Sequence, residues 1–95
     1  MRVDLSKKTN KEIVAAIKNE NVIISCVAIC ETTKRKNDTN DVIEALIEKK
    51  ESQESFWNNY LVSDFARAAL HLLGKEEYTG KREEVLELIK ANLIF

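Results

Sequence analysis

An all-α fold is predicted from three features of the sequence. The 95 residues contain no proline and only two glycines, too few turn formers for a protein built of many short strands. Three segments share one pattern, an acid followed by aliphatics that fall on a single helix face: EIVAAI (Glu12–Ile17), DVIEAL (Asp41–Leu46) and EVLELI (Glu84–Ile89). Between them lie two longer stretches, Val22–Thr33 and Val62–Leu73, that align with each other at an offset of 40. Their shared apolar positions recur at i, i+4, i+7 and i+8, the stripe of an amphipathic helix.

The first helix is expected over 10–19. Thr9 followed by Glu12 reads as a capping box, and Ile13, Val14 and Ile17 form its apolar face. The acid that opens each copy of this pattern sits in the first turn, where the helix dipole favours negative charge. The second helix is expected over 21–36, with Val22, Cys26, Ile29 and Cys30 on its stripe. Its β-branched, nearly continuous apolar run also reads as a buried strand. The alignment with the alanine-rich Val62–Leu73 segment favours helix. Lys34, Arg35 and Lys36 close it with cations that complement the negative helix end. Cys26 and Cys30 lie four apart, and Cβ atoms at that helical spacing sit ~5–6 Å from each other, too far for a disulfide. Both are expected to be reduced and buried.

The third helix is expected over 40–50, with Val42, Ile43 and Leu46 inward. Twenty residues then separate Val42 from Val62, against nine between Ile13 and Val22, so 51–61 (ESQESFWNNYL) reads as an insertion. An extra turn or two of helix is expected there, near Phe56 to Tyr60. The fourth helix is expected over 60–73 and ends at Gly74, a C′ glycine. The fifth, over 81–93, is a half unit that caps the others. Helices one, three and five are expected in one layer, and helices two and four in the other. A chain of this length supports one core, burying ~60–65% of its extended surface, so residues 1–95 form a single domain.

This alternation resembles HEAT-like helical repeats, in which helix–turn–helix pairs stack so that each buries the next pair's apolar face. The clearest match is the second unit, where DVIEALIE supplies one helix and VSDFARAALHLLG the Val-x-x-x-Ala-x-x-Ala-Leu-x-x-Leu-Gly run of its partner. The units fall at about 10–38 and 40–75, with a half unit at 81–95. The first unit lacks the alanines, the Asp and the closing Gly. There is no proline in the turns, and two and a half units fall short of the roughly three usually needed. The resemblance implies antiparallel helix pairs stacked as a short α-solenoid, with a compact five-helix bundle as the alternative. It also implies protein binding along the second-helix layer.

Lys+Arg is 15 and Asp+Glu is 16, so the near-neutral chain lacks the basic excess of a nucleic-acid binder. No apolar stretch is long enough to span a bilayer, and the first residues carry no secretory h-region. A cytoplasmic protein with no nucleic-acid or membrane target is expected. No phosphate loop, metal motif or catalytic constellation is present, so no cofactor, metal or enzymatic activity is expected. Tyr60, Asp64, Arg67 and His71 share one polar face if the fourth helix starts early enough, and Asp64 and Arg67 are spaced for an i, i+3 ion pair. Trp57 lies beside them in the insertion as an aromatic anchor. These five are the candidate partner-binding residues, and the acidic run Glu76–Glu87 is the next candidate. The expected function is a small protein-interaction module acting as adaptor, inhibitor or immunity-type protein. A structural homodimer is the second reading, and an enzyme or nucleotide-handling domain the third.

Overall fold

A computed structural model of the chain describes residues 5–55, 60–80 and 82–91. The described residues form five helices, α1 (Asn10–Ile17), α2 (Val22–Arg35), α3 (Asn40–Lys49), α4 (Val62–Leu72) and α5 (Glu84–Ala91). No strand is present among them, only one antiparallel bridge between Ser55 and Leu61. The strand alternative for Val22–Thr33 is therefore removed.

Local chemistry sets the helix ends. The Glu12 N–H donates to Thr9 Oγ1 at 3.1 Å while the Thr9 N–H donates to Glu12 Oε1 at 2.9 Å, so the expected capping box is formed. That bond from the Thr9 backbone, with the Thr9 side chain, holds the Glu12 carboxyl below its usual range. Asn21 caps α2 by accepting from Ile23 N at 2.9 Å and Ile24 N at 3.3 Å. The buried Ser25 hydroxyl donates to Ile17 O at 2.7 Å and ties the end of α1 to α2.

Both long helices end in the same motif. After α4, Gly74 takes φ +75°, Gly74 N donates to His71 O at 2.9 Å and Lys75 N donates to Leu70 O at 3.0 Å. After α2, Lys36 N donates to Thr33 O at 3.1 Å and Asn37 N donates to Thr32 O at 2.9 Å, but the left-handed position is Lys36 at φ 55°. A side chain in the left-handed region costs ~1–2 kcal/mol, and glycine avoids that cost. Lys36→Gly is expected to stabilise the protein by about 1 kcal/mol, raising Tm by about 4–8 °C in a thermal melt. An unchanged or lower Tm would show that the Lys36 side chain compensates for its backbone.

The core repeats the sequence pattern. Ile13 and Ile17, Val42 and Leu46, and Val85 and Ile89 are the i, i+4 pairs that turn inward from α1, α3 and α5, with exposures from 0% to 7%. The aliphatic between them (Val14, Ile43, Leu86) is half-buried in all three copies. α4 is the central helix. Val62, Phe65, Ala66, Ala68, Ala69 and Leu70 are all at most 1% exposed, and the three alanines let neighbours approach on several sides. α1 packs on α2, α3 on α4, α1 beside α3 and α2 beside α4.

The neighbours of the first four helices are consistent with the expected layers, and the fifth needs correction. The principal neighbours of α5 are α4 and, less extensively, α2, so α5 does not take the third place in the α1–α3 row. The described residues span 31 × 30 × 24 Å, a nearly isotropic body gathered around α4. No helix among them is long and apolar enough to cross a membrane.

Cys26 and Cys30 are free thiols, the first buried and the second half-buried. Burial, with the neighbouring thiol second, pushes Cys26 far up. Burial pushes Cys30 up to about 12. Both therefore behave as small apolar groups at neutral pH.

Candidate functional site

The segment between α3 and α4 is a short hairpin-like excursion where it is described. Val62 N donates to Glu54 O at 2.9 Å, and Ser55 pairs with Leu61. The extra helical turn expected near Phe56 to Tyr60 falls largely on 56–59, which lie outside the described residues, as does Trp57. Tyr60 itself is not helical. α4 starts at Val62, because the Asp64 carboxylate accepts from Leu61 N at 2.9 Å and fixes the helix start there. The start of the expected helix is thereby corrected from 60 to 62.

The stripe Tyr60–Asp64–Arg67–His71 is consequently divided. Tyr60 is 5% exposed, with its ring edge-to-face on Phe65 (centroids 6.1 Å apart, planes at 82°). The Arg82 guanidinium covers the Tyr60 ring at 4.3 Å. Arg82 is held by Glu84 at 2.7 Å, and that bond, with one from the Glu84 backbone second, lowers the Glu84 carboxyl from its usual range. Tyr78 donates to Arg82 O at 2.7 Å, so this group anchors the connection leading to α5. A Cβ on Gly80 would collide with the Tyr78 ring, which accounts for the glycine there.

Asp64 and Arg67 do meet, in a recess of about 250 Å³ whose walls include Lys50, Gln53, Thr79 and Gly80. They are not ion-paired to each other as their spacing suggested. The Asp64 carboxylate is engaged by Leu61 N, and Arg67 reaches outward, donating to Thr79 Oγ1 at 2.8 Å and Lys50 O at 3.2 Å. Glu51 lies 3.9 Å from the same guanidinium. Arg67 thus clamps the end of α3 and the 79–80 segment onto α4. His71 is exposed at the far end of α4, with Nδ1 3.1 Å from Glu76 O and its ring 6.3 Å from that of Tyr78.

The acidic run is largely partnered. Glu76 pairs with Lys50 at 3.1 Å, Glu84 with Arg82, and Glu87 with Lys90 at 3.7 Å. One Glu76 carboxylate oxygen is buried without a hydrogen-bond partner.

Two arginines play roles that their positions in the sequence do not signal. Arg35, expected to act as a helix-end cation, donates to Glu31 at 2.7 Å, to Asn10 Oδ1 at 2.9 Å, and to the carbonyls of Leu5 and Ser6 at 3.2 and 3.0 Å. It binds the segment ahead of α1 onto α2. The Arg82–Tyr60 contact bridges 22 residues of sequence. Neither contact leaves a periodic trace.

Among the described residues no group of three or more His, Cys, Asp or Glu is placed to hold a metal ion. What the recess offers chemically is hydrogen bonding and charge, with Asp64, Arg67, Lys50 and Thr79 among its lining residues. Comparison with protein-family models, with curated proteins and with solved structures finds no match to this chain.

Proposed function

We propose that the protein is a small non-enzymatic interaction module, acting as an adaptor, inhibitor or immunity-type protein by occupying a partner protein. The observation that carries this reading is the recess where Asp64 and Arg67 meet Lys50 and Thr79, opening beside the ends of the segment that holds Trp57. Arginine and tryptophan are among the residue types most often dominant in protein interfaces, and a polar recess offers specificity. Arg67 lines the recess on α4, and His71 is exposed further along the same helix.

The pairing of α1 with α2 and of α3 with α4, with α1 beside α3 and α2 beside α4, supports descent from two HEAT-like units, with α5 closing the array into a bundle. The net charge of -1 favours a protein partner over nucleic acid.

The test is affinity capture from the native cell followed by calorimetry. A stoichiometric partner is expected, and Trp57→Ala or Gln53→Arg should each weaken it at least tenfold while leaving helical circular dichroism unchanged. Gln53 is exposed at the edge of the recess, so its replacement fills the opening without touching the core. Full-strength binding by both folded variants rejects this surface. Failure to capture any stoichiometric partner rejects the module reading.

A further inference from the structure

The outer faces of α1 and α3 form a second surface, apart from the recess at the start of α4. α1 leaves Lys11, Ala15 and Lys18 exposed with Val14 half-buried, and α3 leaves Asp41, Glu44, Ile47 and Glu48 exposed with Ile43 half-buried. Ile47 is 51% exposed, the most exposed large apolar side chain among the described residues. Lys11, Val14, Ala15 and Lys18 line a shallow groove together with Asp41 and Glu44. Lys18 also borders a neighbouring recess with Glu48. The two helices therefore run parallel, with Lys11 level with Asp41 and Glu44, and Lys18 level with Glu44 and Glu48. None of these five charges has an ion-pair partner among the described residues.

We propose that this face associates with the same face of a second copy of the chain, about a two-fold axis parallel to α1 and α3. Such an axis lays α1 of one copy over α3 of the other without changing the level of any residue. Lys11 then meets Asp41 and Glu44 of the second copy, and Lys18 meets Glu48. The relation is reciprocal, as an isologous contact requires. A two-fold axis across the helices would instead set α1 on α1 and lysine against lysine, which like-charge repulsion disfavours. Val14 and Ala15 line the groove with these charges, and Ile47 stands exposed on α3 beside the acidic ridge, where it adds apolar area to the contact. The whole sequence is polarised in the same sense. Residues 1–36 carry eight basic and four acidic side chains and residues 37–95 carry seven and twelve, so unlike parts of two copies attract.

The face is small. Helices of eight and ten residues are about 12–15 Å long, and the area they cover falls below the ~800 Å² per partner of a standard stable interface. The dimer is accordingly weak, reversible and sensitive to salt. It does not require the far wall of the recess, so Thr79→Ala, which touches neither Lys18 nor Glu48, should leave it unchanged, and a failure of the proposed function would not remove it.

Sedimentation equilibrium from about 10 µM to about 1 mM tests the proposal. A monomer–dimer equilibrium is expected at low salt, weakened by salt near 0.5 M, where screening is strong. Lys11→Glu with Lys18→Glu makes both ridges acidic, and Asp41→Lys with Glu44→Lys and Glu48→Lys makes both basic. Each variant alone should be monomeric, and an equal mixture should form a mixed dimer. Ile47→Asp, at an exposed position that cannot disturb the core, should weaken the wild-type dimer at least tenfold. A wild-type chain that stays monomeric at the highest concentration overturns the proposal. So does undiminished dimerisation of Ile47→Asp, or folded charge variants that do not associate when mixed.

Discussion

Replacing Ala69 with aspartate is expected to abolish the cooperative thermal transition. Ala69 is fully buried on α4, the helix that packs against α2, α3 and α5. An aspartate there has nowhere to turn, because Phe65, Ala66, Ala68 and Leu70 around it are also at most 1% exposed. Burying a carboxylate with no partner costs several kcal/mol, whether it is met as charge desolvation or as protonation at neutral pH. Single domains hold ~5–15 kcal/mol in total, and a domain of 95 residues belongs towards the lower end. One substitution therefore consumes most or all of the stability. The control is Ile23→Asp, which removes a larger apolar side chain but at a position 45% exposed in the first turn of α2. An acid there also suits the helix dipole, so Tm should change by only a few degrees. If Ala69→Asp melts within a few degrees of the parent, the packing around α4 described above is incorrect.

The helices were legible because their signals are local and periodic. The Thr9–Glu12 box, the inward i, i+4 pairs of α1, α3 and α5, and the closing Gly74 each depend on residues within about one or two turns of one another. The alignment of Val62–Leu73 with Val22–Thr33 resolved an apolar run that periodicity alone left open between strand and helix. The candidate site was less legible. Counting the stripe from Tyr60 assumed a helix already under way, whereas the Asp64 carboxylate starts α4 at Val62. The two residues before that point are not helical, so Tyr60 escapes the helical register and turns inward. Arg67 was read as the ion-pair partner of Asp64 because three residues of helix separate them. In the fold its partners, Lys50 and Thr79, come from other segments. Arg35 and Arg82 act the same way, each holding a segment more than 20 residues distant. Such contacts depend on how the helices pack, and a periodic pattern does not encode them. The position of α5 is another such outcome. Its apolar face is plain in the sequence, but the choice of α4 and α2 as its neighbours is made where Tyr78, Arg82 and Tyr60 fasten the connection ahead of it.

Phe65→Ala is expected to cost about 3–5 kcal/mol, measured by urea unfolding. Phe65 is the largest fully buried side chain among the described residues, at 0% exposure. Its ring occupies the place where α4 meets the end of the 51–61 segment, edge-on to Tyr60. Truncation removes the transfer energy of the ring and leaves a cavity that cannot fully collapse, because Tyr60 is pinned on its other side by Arg82. Phe65→Leu keeps most of the volume and should cost clearly less, about 1–2 kcal/mol. The aromatic geometry itself is a smaller term, ~0.5–1.5 kcal/mol, and a double-mutant cycle with Tyr60→Leu isolates it. A coupling in that range would show that the Tyr60–Phe65 contact ties Tyr60 to the start of α4. The loss should then extend to function: Tyr60→Leu, although folded, should weaken partner capture because the start of α4 is less firmly held. A Phe65→Ala protein losing less than about 1 kcal/mol would mean that the site collapses freely, and that α4 is not anchored at its start by this pair.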